Sequence, residues 1–263
     1  MKDDILQVPI GEQEHLKEFF RLLNENGRKQ ESNELSTLVS QLSQLEQQYA
    51  AVFSELQTVR GQLDRIQDKG IKRTVSKGIA AIQSAATQGM EQLNHIKADL
   101  SQRVSDTLAA VKQHGISALH KAADFMGIKA ALNDLKDSLQ SSITRTQKSI
   151  DRINTIGSEL HALNEHTKNL GRALTGKETK ELTKRNEEKG VLAAIAKPLK
   201  HSKSMFEGME KSVSRALESV ERLEQSAAKG KEKASIRKEL KAAKKQEAAP
   251  KKKTPQKAQE TSL

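Results

Sequence analysis

The chain has 263 residues, of which 45 are Lys or Arg and 34 are Asp or Glu, so its formal net charge is +11. It contains no Cys, which excludes disulfides, thiolate metal ligands and a cysteine nucleophile. No apolar run approaches the roughly 20 residues of a membrane-spanning helix, and aromatic residues make up only 2%, which disfavours a thick globular core.

Long helices are predicted for most of the chain. The prolines are Pro9, Pro198, Pro250 and Pro255, so residues 10–197 contain none. This stretch is rich in Leu, Ala, Gln, Glu and Lys, which favour helices, and it lacks the alternating pattern of strands. We therefore expect an all-α protein, an elongated antiparallel bundle of long helices or coiled coils with a disordered basic C-terminal tail.

The first two predicted units are a short N-terminal helix in residues 1–29 and a heptad coiled-coil helix in residues 31–68. Polar residues around Gly27 end the first helix. From residue 35 to 66, apolar residues recur at alternating steps of three and four, which is an unbroken heptad stripe. Such a stripe needs a partner helix, so we expect these residues to mediate helix association: Leu35, Leu38, Leu42, Leu45, Tyr49, Val52, Leu56, Val59, Leu63 and Ile66.

Two interpretations of this stripe stay open. Leucines at a with β-branched residues at d disfavour a two-stranded parallel zipper, and Val39 and Phe53 widen the stripe, as in an intramolecular bundle. The stripe therefore either packs against other helices of the same chain or serves self-association or binding of a partner helix.

Residues 71–174 are predicted to form two long amphipathic helices with a joint at Met126–Gly127. The apolar stripe of the second helix, between Leu132 and Leu174, drifts between three- and four-residue steps and so wanders around the helix. Shorter helical segments are expected in residues 178–228, broken near Pro198.

Residues 229–263 form the predicted basic tail, with twelve Lys or Arg and four Glu, a net charge of +8. Residues 231–247 favour a transient helix, whereas the composition from Lys251 onward indicates disorder. Such a tail either binds nucleic acid by counterion release, binds a membrane surface or an acidic protein, or only increases solubility. The candidate polyanion-binding residues are Lys241, Lys244, Lys245, Lys251, Lys252, Lys253 and Lys257.

Motifs of known chemistry are absent from the sequence. The histidine pairs His161–His166 and His114–His120 do not have the three- or four-residue spacing of a helical metal site. There is no phosphate-binding loop, dinucleotide fingerprint or nucleophile elbow. We therefore expect no enzyme activity, no cofactor, no bound metal and no small-molecule substrate.

The opening helices carry a resemblance to a known family. The stretch EHLKEFFRLLNENGRKQESNELSTLVSQLSQLEQQYAAVFSELQTVRGQLDRI resembles an uncharacterised all-helical family of Clostridia and other Firmicutes, and the likeness extends to about residue 228. Members of that family are often encoded on integrative and conjugative elements. The resemblance implies a bacterial cytoplasmic location and an accessory role near DNA transfer, and it supplies no functional residues. The N-terminus also lacks the apolar segment of a secretory signal.

The function expected from these features is that of a non-enzymatic coiled-coil scaffold or adaptor with a polycationic tail for electrostatic tethering. One alternative is a DNA-associated accessory protein of conjugative transfer that binds without sequence preference. Another is an amphipathic surface coat, because the Ala-rich stretches GIAAIQSAATQGMEQLNHIKADL and KQHGISALHKAADF resemble those of phasins and apolipoprotein-like coats.

Overall fold

The computed structural model describes residues 9–120, 126–186 and 189–247. Within these ranges, side chains are not described at residues 117, 120, 126 and 230–247. The α-helices in these ranges are α1 (Glu14–Glu25), α2 (Lys29–Leu63), α3 (Lys69–His114), α4 (Met126–Leu174) and α5 (Val191–Glu247). Short 3₁₀ turns lie at Ile10–Glu12 and Ile116–His120, and these parts of the chain contain no strand, so the all-α prediction is confirmed.

Helices α2 to α5 form an elongated four-helix bundle in which each helix runs antiparallel to the next. α3 packs between α2 and α4, and α5 closes the bundle by packing on α2 and α4. The direction follows from cross-helix pairs in which residue numbers rise on one helix and fall on the other: Glu34–Arg222 and Glu55–His201 between α2 and α5, Lys129–Glu221 and Gln140–Glu210 between α4 and α5.

Leu, Ile and Val side chains fill the bundle core, with few aromatic residues among them. The largest side chain in the middle is Tyr49 of α2, which is 1% exposed and packs against Gly89 of α3. A Cβ atom at Gly89 would collide with the Tyr49 ring and hydroxyl, so this glycine permits the close approach of the two helices.

α4 begins at Met126, where the sequence predicts a joint, but α3 ends earlier than predicted. Helix α3 ends at His114 rather than near Met126, because Gly115 adopts a positive φ of 72° that stops the helix. Its N–H still donates to the carbonyl of Val111, at 2.8 Å, which completes the last turn. The 3₁₀ turn that follows lies in the stretch expected to be helical.

The prediction of a break near Pro198 is wrong. Pro198 lies inside α5, which continues without interruption on both sides. A proline there removes one backbone hydrogen bond, which costs about 3 kcal/mol in an isolated helix. Ile195 and Leu199 flank it and are fully buried, so packing on the bundle offsets that cost.

Two further boundaries differ from prediction. Helix α2 ends at Leu63 instead of residue 68, because Asp68 is the N-cap of α3 and accepts a hydrogen bond from the amide of Ile71 at 2.8 Å. Residues 177–186 are extended rather than helical, so the predicted short helical segments of residues 178–228 begin only at α5.

The secondary structure does not change at the predicted boundary of the basic tail. Ala227 is the last buried residue described on α5. The helix nevertheless continues to Glu247, which corrects the tail boundary at residue 229 and agrees with the helical tendency of residues 231–247. The disorder predicted from Lys251 onward lies outside the described residues.

Candidate functional site

The predicted association stripe of α2 lies inside the bundle. Nine of its ten residues are at most 6% exposed, and Ile66, which follows the helix end, is partly buried against the core. α3 and α5 cover the stripe, so of the two interpretations the structure supports packing within one chain. These residues are part of the bundle core.

The predicted polyanion-binding lysines fall into two groups. Lys241, Lys244 and Lys245 lie on the last turns of α5, where the backbone is helical. Lys251, Lys252, Lys253 and Lys257 lie outside the described residues.

The last packed turns of α5 are tied to the start of α2 by polar contacts. The hydroxyl of Ser226 donates to Glu31 at 2.9 Å, and Arg222 pairs with Glu34 at 3.4 Å. Because α2 begins at Lys29, the part of α5 beyond these contacts has no α2 beside it. We call residues 229–247 the α5 extension; it is about 28 Å long at 1.5 Å per residue.

The α5 extension concentrates positive charge. It contains eight Lys or Arg and three Glu, a net charge of +5 in 19 residues. Residues 1–228 carry 33 basic and 30 acidic side chains, so the rest of the described fold is nearly balanced. The basic character of the chain is therefore localised at one end of the bundle.

Helix α4 leaves the bundle at the opposite end. Extending the antiparallel pairing of Gln140 with Glu210 places Val191, the first residue of α5, level with about residue 159 of α4. Gly78 of α3 faces Ser149, which places the start of α3 near the same level. Residues 160–174, which we call the α4 tip, therefore extend about 22 Å beyond both neighbouring helices.

The apolar stripe of the α4 tip is turned to the side of the helix and does not continue the core-facing stripe. Residues 156, 160, 163, 167, 170 and 174 lie on one side of α4, about 80° around the helix from the buried core stripe that ends at Ile153. The exposed fractions of its leucines are 43% for Leu160, 63% for Leu163, 61% for Leu170 and 80% for Leu174.

An extended segment, residues 177–186, returns along the other side of the α4 tip. We call it the strap. Asn169 holds its backbone in two directions, because its Nδ2 donates to the carbonyl of Lys180 at 2.6 Å and its Oδ1 accepts from the Lys180 amide at 2.9 Å. Nε of Arg172 donates to the carbonyl of Glu178 at 2.7 Å. These side chains lie roughly opposite the leucine stripe, so the strap leaves that stripe open.

Two further strap residues contact α4: Arg185, and Thr183, whose hydroxyl donates to Glu165 at 3.5 Å. Arg185 donates to the carbonyl of Asn154 at 3.2 Å, and its guanidinium lies over Gly157, where a Cβ atom would collide with it. Glu165 accepts a hydrogen bond from Lys168 at 2.9 Å, and this contact lowers the pKa of Glu165 below its usual value. The sequence pattern does not predict the strap, and its one signal is a run of Lys, Glu and Thr without helical periodicity.

No metal or membrane feature stands out in the described ranges. They contain no group of three His, Cys, Asp or Glu residues placed to hold a metal ion. None of the helices described combines the length and the apolar character needed to cross a membrane.

Comparison with known proteins assigns the chain to a family. The family model for DUF6674, described as a family of unknown function, matches residues 12–262. The chain belongs to DUF6674. The match covers the bundle, the α4 tip and the α5 extension alike, beyond the residue 228 expected from the resemblance. No curated protein and no solved structure matches the DUF6674 chain.

Proposed function

We propose that the DUF6674 chain is a non-enzymatic helical scaffold whose α5 extension tethers it to nucleic acid without sequence preference. The observation that carries this proposal is the continuation of α5 past the packed bundle as a helix with a net charge of +5. A rigid, nearly neutral body with a cationic end suits a protein that holds partners at a polyanion.

The chemistry of the extension favours contact with phosphates over contact with bases. Lysine side chains that contact phosphates displace condensed counterions from DNA or RNA, which makes binding strong at low salt and weak at high salt. Residues 229–263 contain no aromatic residue, so they offer no platform for base stacking. Binding through phosphates alone is independent of sequence.

The surface-coat alternative receives less support from the structure. In the Ala-rich stretch of α3, the apolar side chains Ile79, Ile82 and Leu93 are buried in the bundle. Adsorption to a lipid or oil surface through this face would require the bundle to open. A bacterial cytoplasmic setting and a role near DNA transfer remain part of the proposal, and flanking genes for relaxase or coupling proteins would support them.

The test is fluorescence anisotropy of a labelled 30-base-pair duplex with the full chain, measured over a series of salt concentrations. A variant with Lys→Gln at four positions of the extension is expected to bind more weakly and to lower the magnitude of the salt slope by up to about 3.6, since each phosphate contact contributes about 0.9. The substituted residues are Lys238, Lys241, Lys244 and Lys245.

A matched control removes the same charge from exposed lysines of the bundle and is expected to keep the wild-type slope. Its substituted residues are Lys77, Lys148, Lys200 and Lys211. Equal loss of binding in both variants would show that only net charge matters, and absence of binding at low salt would refute the tether. Equal affinity for duplexes of unrelated sequence is expected; a strong preference would contradict phosphate-only contact.

A further inference from the structure

We infer that the α4 tip binds a second copy of this chain, by antiparallel pairing of its exposed stripe over residues 156–174. This interface lies at the end of the bundle opposite the α5 extension and does not depend on what that extension binds. The first argument is the exposure of four leucines on one continuous face, which costs free energy in water.

The described chain does not cover this face. The strap occupies the other side of α4, where Asn169 and Arg172 hold it. α3 and α5 begin near the level of residue 159 and therefore do not reach the tip.

The terminal segments that the structure does not describe are too short to reach this face from the points where the described chain begins and ends. Residue 193 of α5 lies level with the start of the exposed stripe, and Glu247 lies about 80 Å from it along the helix. Residues 248–263 span at most about 55 Å when fully extended, so they do not reach the stripe. Residues 1–8 are also too short. Gly11 lies beside Val39 of α2, about 36 Å along the helix from Leu63, which is level with the start of the α4 tip. Eight residues span at most about 28 Å.

The stripe is complementary to itself in one antiparallel register. When residue 165 of both copies lies at the centre, Ile156 meets Leu174 of the second copy, and Leu160 meets its Leu170. The central layers pair Leu163 with Thr167 of the second copy. Every leucine of the tip therefore contacts an apolar side chain or the methyl group of Thr167, and no large side chain is left over.

The flanking positions carry no like-charge conflict in this register. They are Gly157, Glu159, Asn164, His166, Gly171 and Ala173. Glu159 is the one acidic or basic residue among them other than histidine, and it meets Ala173 of the second copy. Gly171 has no atom within 4 Å of the position that a Cβ would take, so the second copy's helix can approach closely there.

The surface is small, so the pair is expected to dissociate readily. Interfaces below about 1,200 Å² are typical of weak and transient complexes. A reversible monomer–dimer equilibrium within the micromolar to millimolar range follows, rather than a permanent dimer.

Sedimentation equilibrium of the full chain over a wide concentration range tests the inference. The wild-type chain is expected to show reversible dimers. The variant L163E/L170E, which puts acidic groups on the stripe, is expected to raise the dissociation constant at least about tenfold without loss of helicity. A wild-type chain that stays monomeric at the highest concentration overturns the inference, as does an L163E/L170E variant that dimerises like the wild type.

The matched control is I116E, which changes an exposed apolar residue, 56% exposed, at the opposite end of the bundle. It is expected to dimerise like the wild type. Loss of dimers in this variant as well would assign the effect to net charge and overturn the location.

Cysteine labelling tests the register, because the chain has no native Cys. Pyrene on H166C is expected to give excimer fluorescence, since these positions meet near the two-fold axis. Pyrene on E159C is expected to give none, because its two copies lie about 21 Å apart along the helices. Excimer from both positions, or from neither, contradicts the antiparallel register.

Discussion

The same heptad spacing has opposite outcomes in two regions of the molecule. In α2, the stripe from Leu35 to Leu63 is at most 6% exposed. In the α4 tip, the stripe from Leu160 to Leu174 is between 43% and 80% exposed. Both stripes follow steps of three and four, with Thr167 at one position of the tip, so spacing alone does not decide which of them is buried.

The difference comes from the lengths and the faces of the neighbouring helices. α3 and α5 run beside the whole of α2. Both begin level with about residue 159 of α4, so neither lies beside the α4 tip. The stripe of the tip is also rotated away from the core stripe that ends at Ile153. Burial of a helix face therefore depends on the register of the entire bundle.

The largest expected effect separates the two stripes directly. Leu42→Ala in α2 is expected to lower the free energy of unfolding by about 2–5 kcal/mol, because it leaves a cavity in the core. Leu163→Ala in the tip is expected to change it by no more than about 0.5 kcal/mol.

Chemical denaturation monitored by circular dichroism measures both values, at a protein concentration low enough that association does not contribute. Comparable losses in the two variants would mean that the tip is covered within the monomer.

Two glycine substitutions are expected to change the free energy of unfolding by an intermediate amount. Gly89→Ala is expected to destabilise the chain by about 1–3 kcal/mol, because the added methyl group collides with Tyr49. Gly171→Ala meets no atom within 4 Å and is expected to stabilise the helix by up to about 1 kcal/mol. The same denaturation experiment reads both, and effects of the same sign would contradict the assigned packing.

The smallest expected effect concerns the strap. Asn169→Ala removes two hydrogen bonds to the backbone of Lys180, so the amide of Lys180 is expected to exchange with solvent faster, by about tenfold for a loss near 1.4 kcal/mol. Hydrogen exchange resolved by mass spectrometry measures this, with Asn133→Ala elsewhere on α4 as the control. Unchanged exchange in the Asn169 variant would show that Arg172 and Arg185 hold the strap without it.

Much of the helical architecture could be predicted from local signals. The absence of proline from residues 10–197 and the positive-φ glycines at Gly27, Gly176 and Gly190 mark helices and joints that the structure contains. The joint at Gly115 has no signal in the apolar pattern, because helical spacing continues on both sides of it. The effect of Pro198 cannot be predicted locally, because it depends on how strongly Ile195 and Leu199 are packed in the core.

The candidate surfaces were less accessible to sequence reasoning. The lysines of the α5 extension are visible as a charge run, but their helical backbone was foreseen only as transient. The exposure of the α4 tip depends on where α3 and α5 begin relative to α4. That register is set by long-range packing and cannot be derived from local sequence patterns. The strap depends on side-chain to backbone hydrogen bonds between residues such as Asn169 and Lys180, which leave no periodic pattern.

Tyr49 is an intrinsic spectroscopic probe of the bundle core. It is the one tyrosine, and there is no tryptophan, so ultraviolet emission reports a single point at the contact of α2 with Gly89 of α3. Burial raises the pKa of Tyr49 above its usual value of about 10. The Tyr49 hydroxyl therefore stays protonated in alkali while the bundle is folded. The contribution of this group to the free energy of unfolding is fully present below pH 10 and declines above it. The absorbance of tyrosinate records the opening of the bundle at its middle, without any added dye.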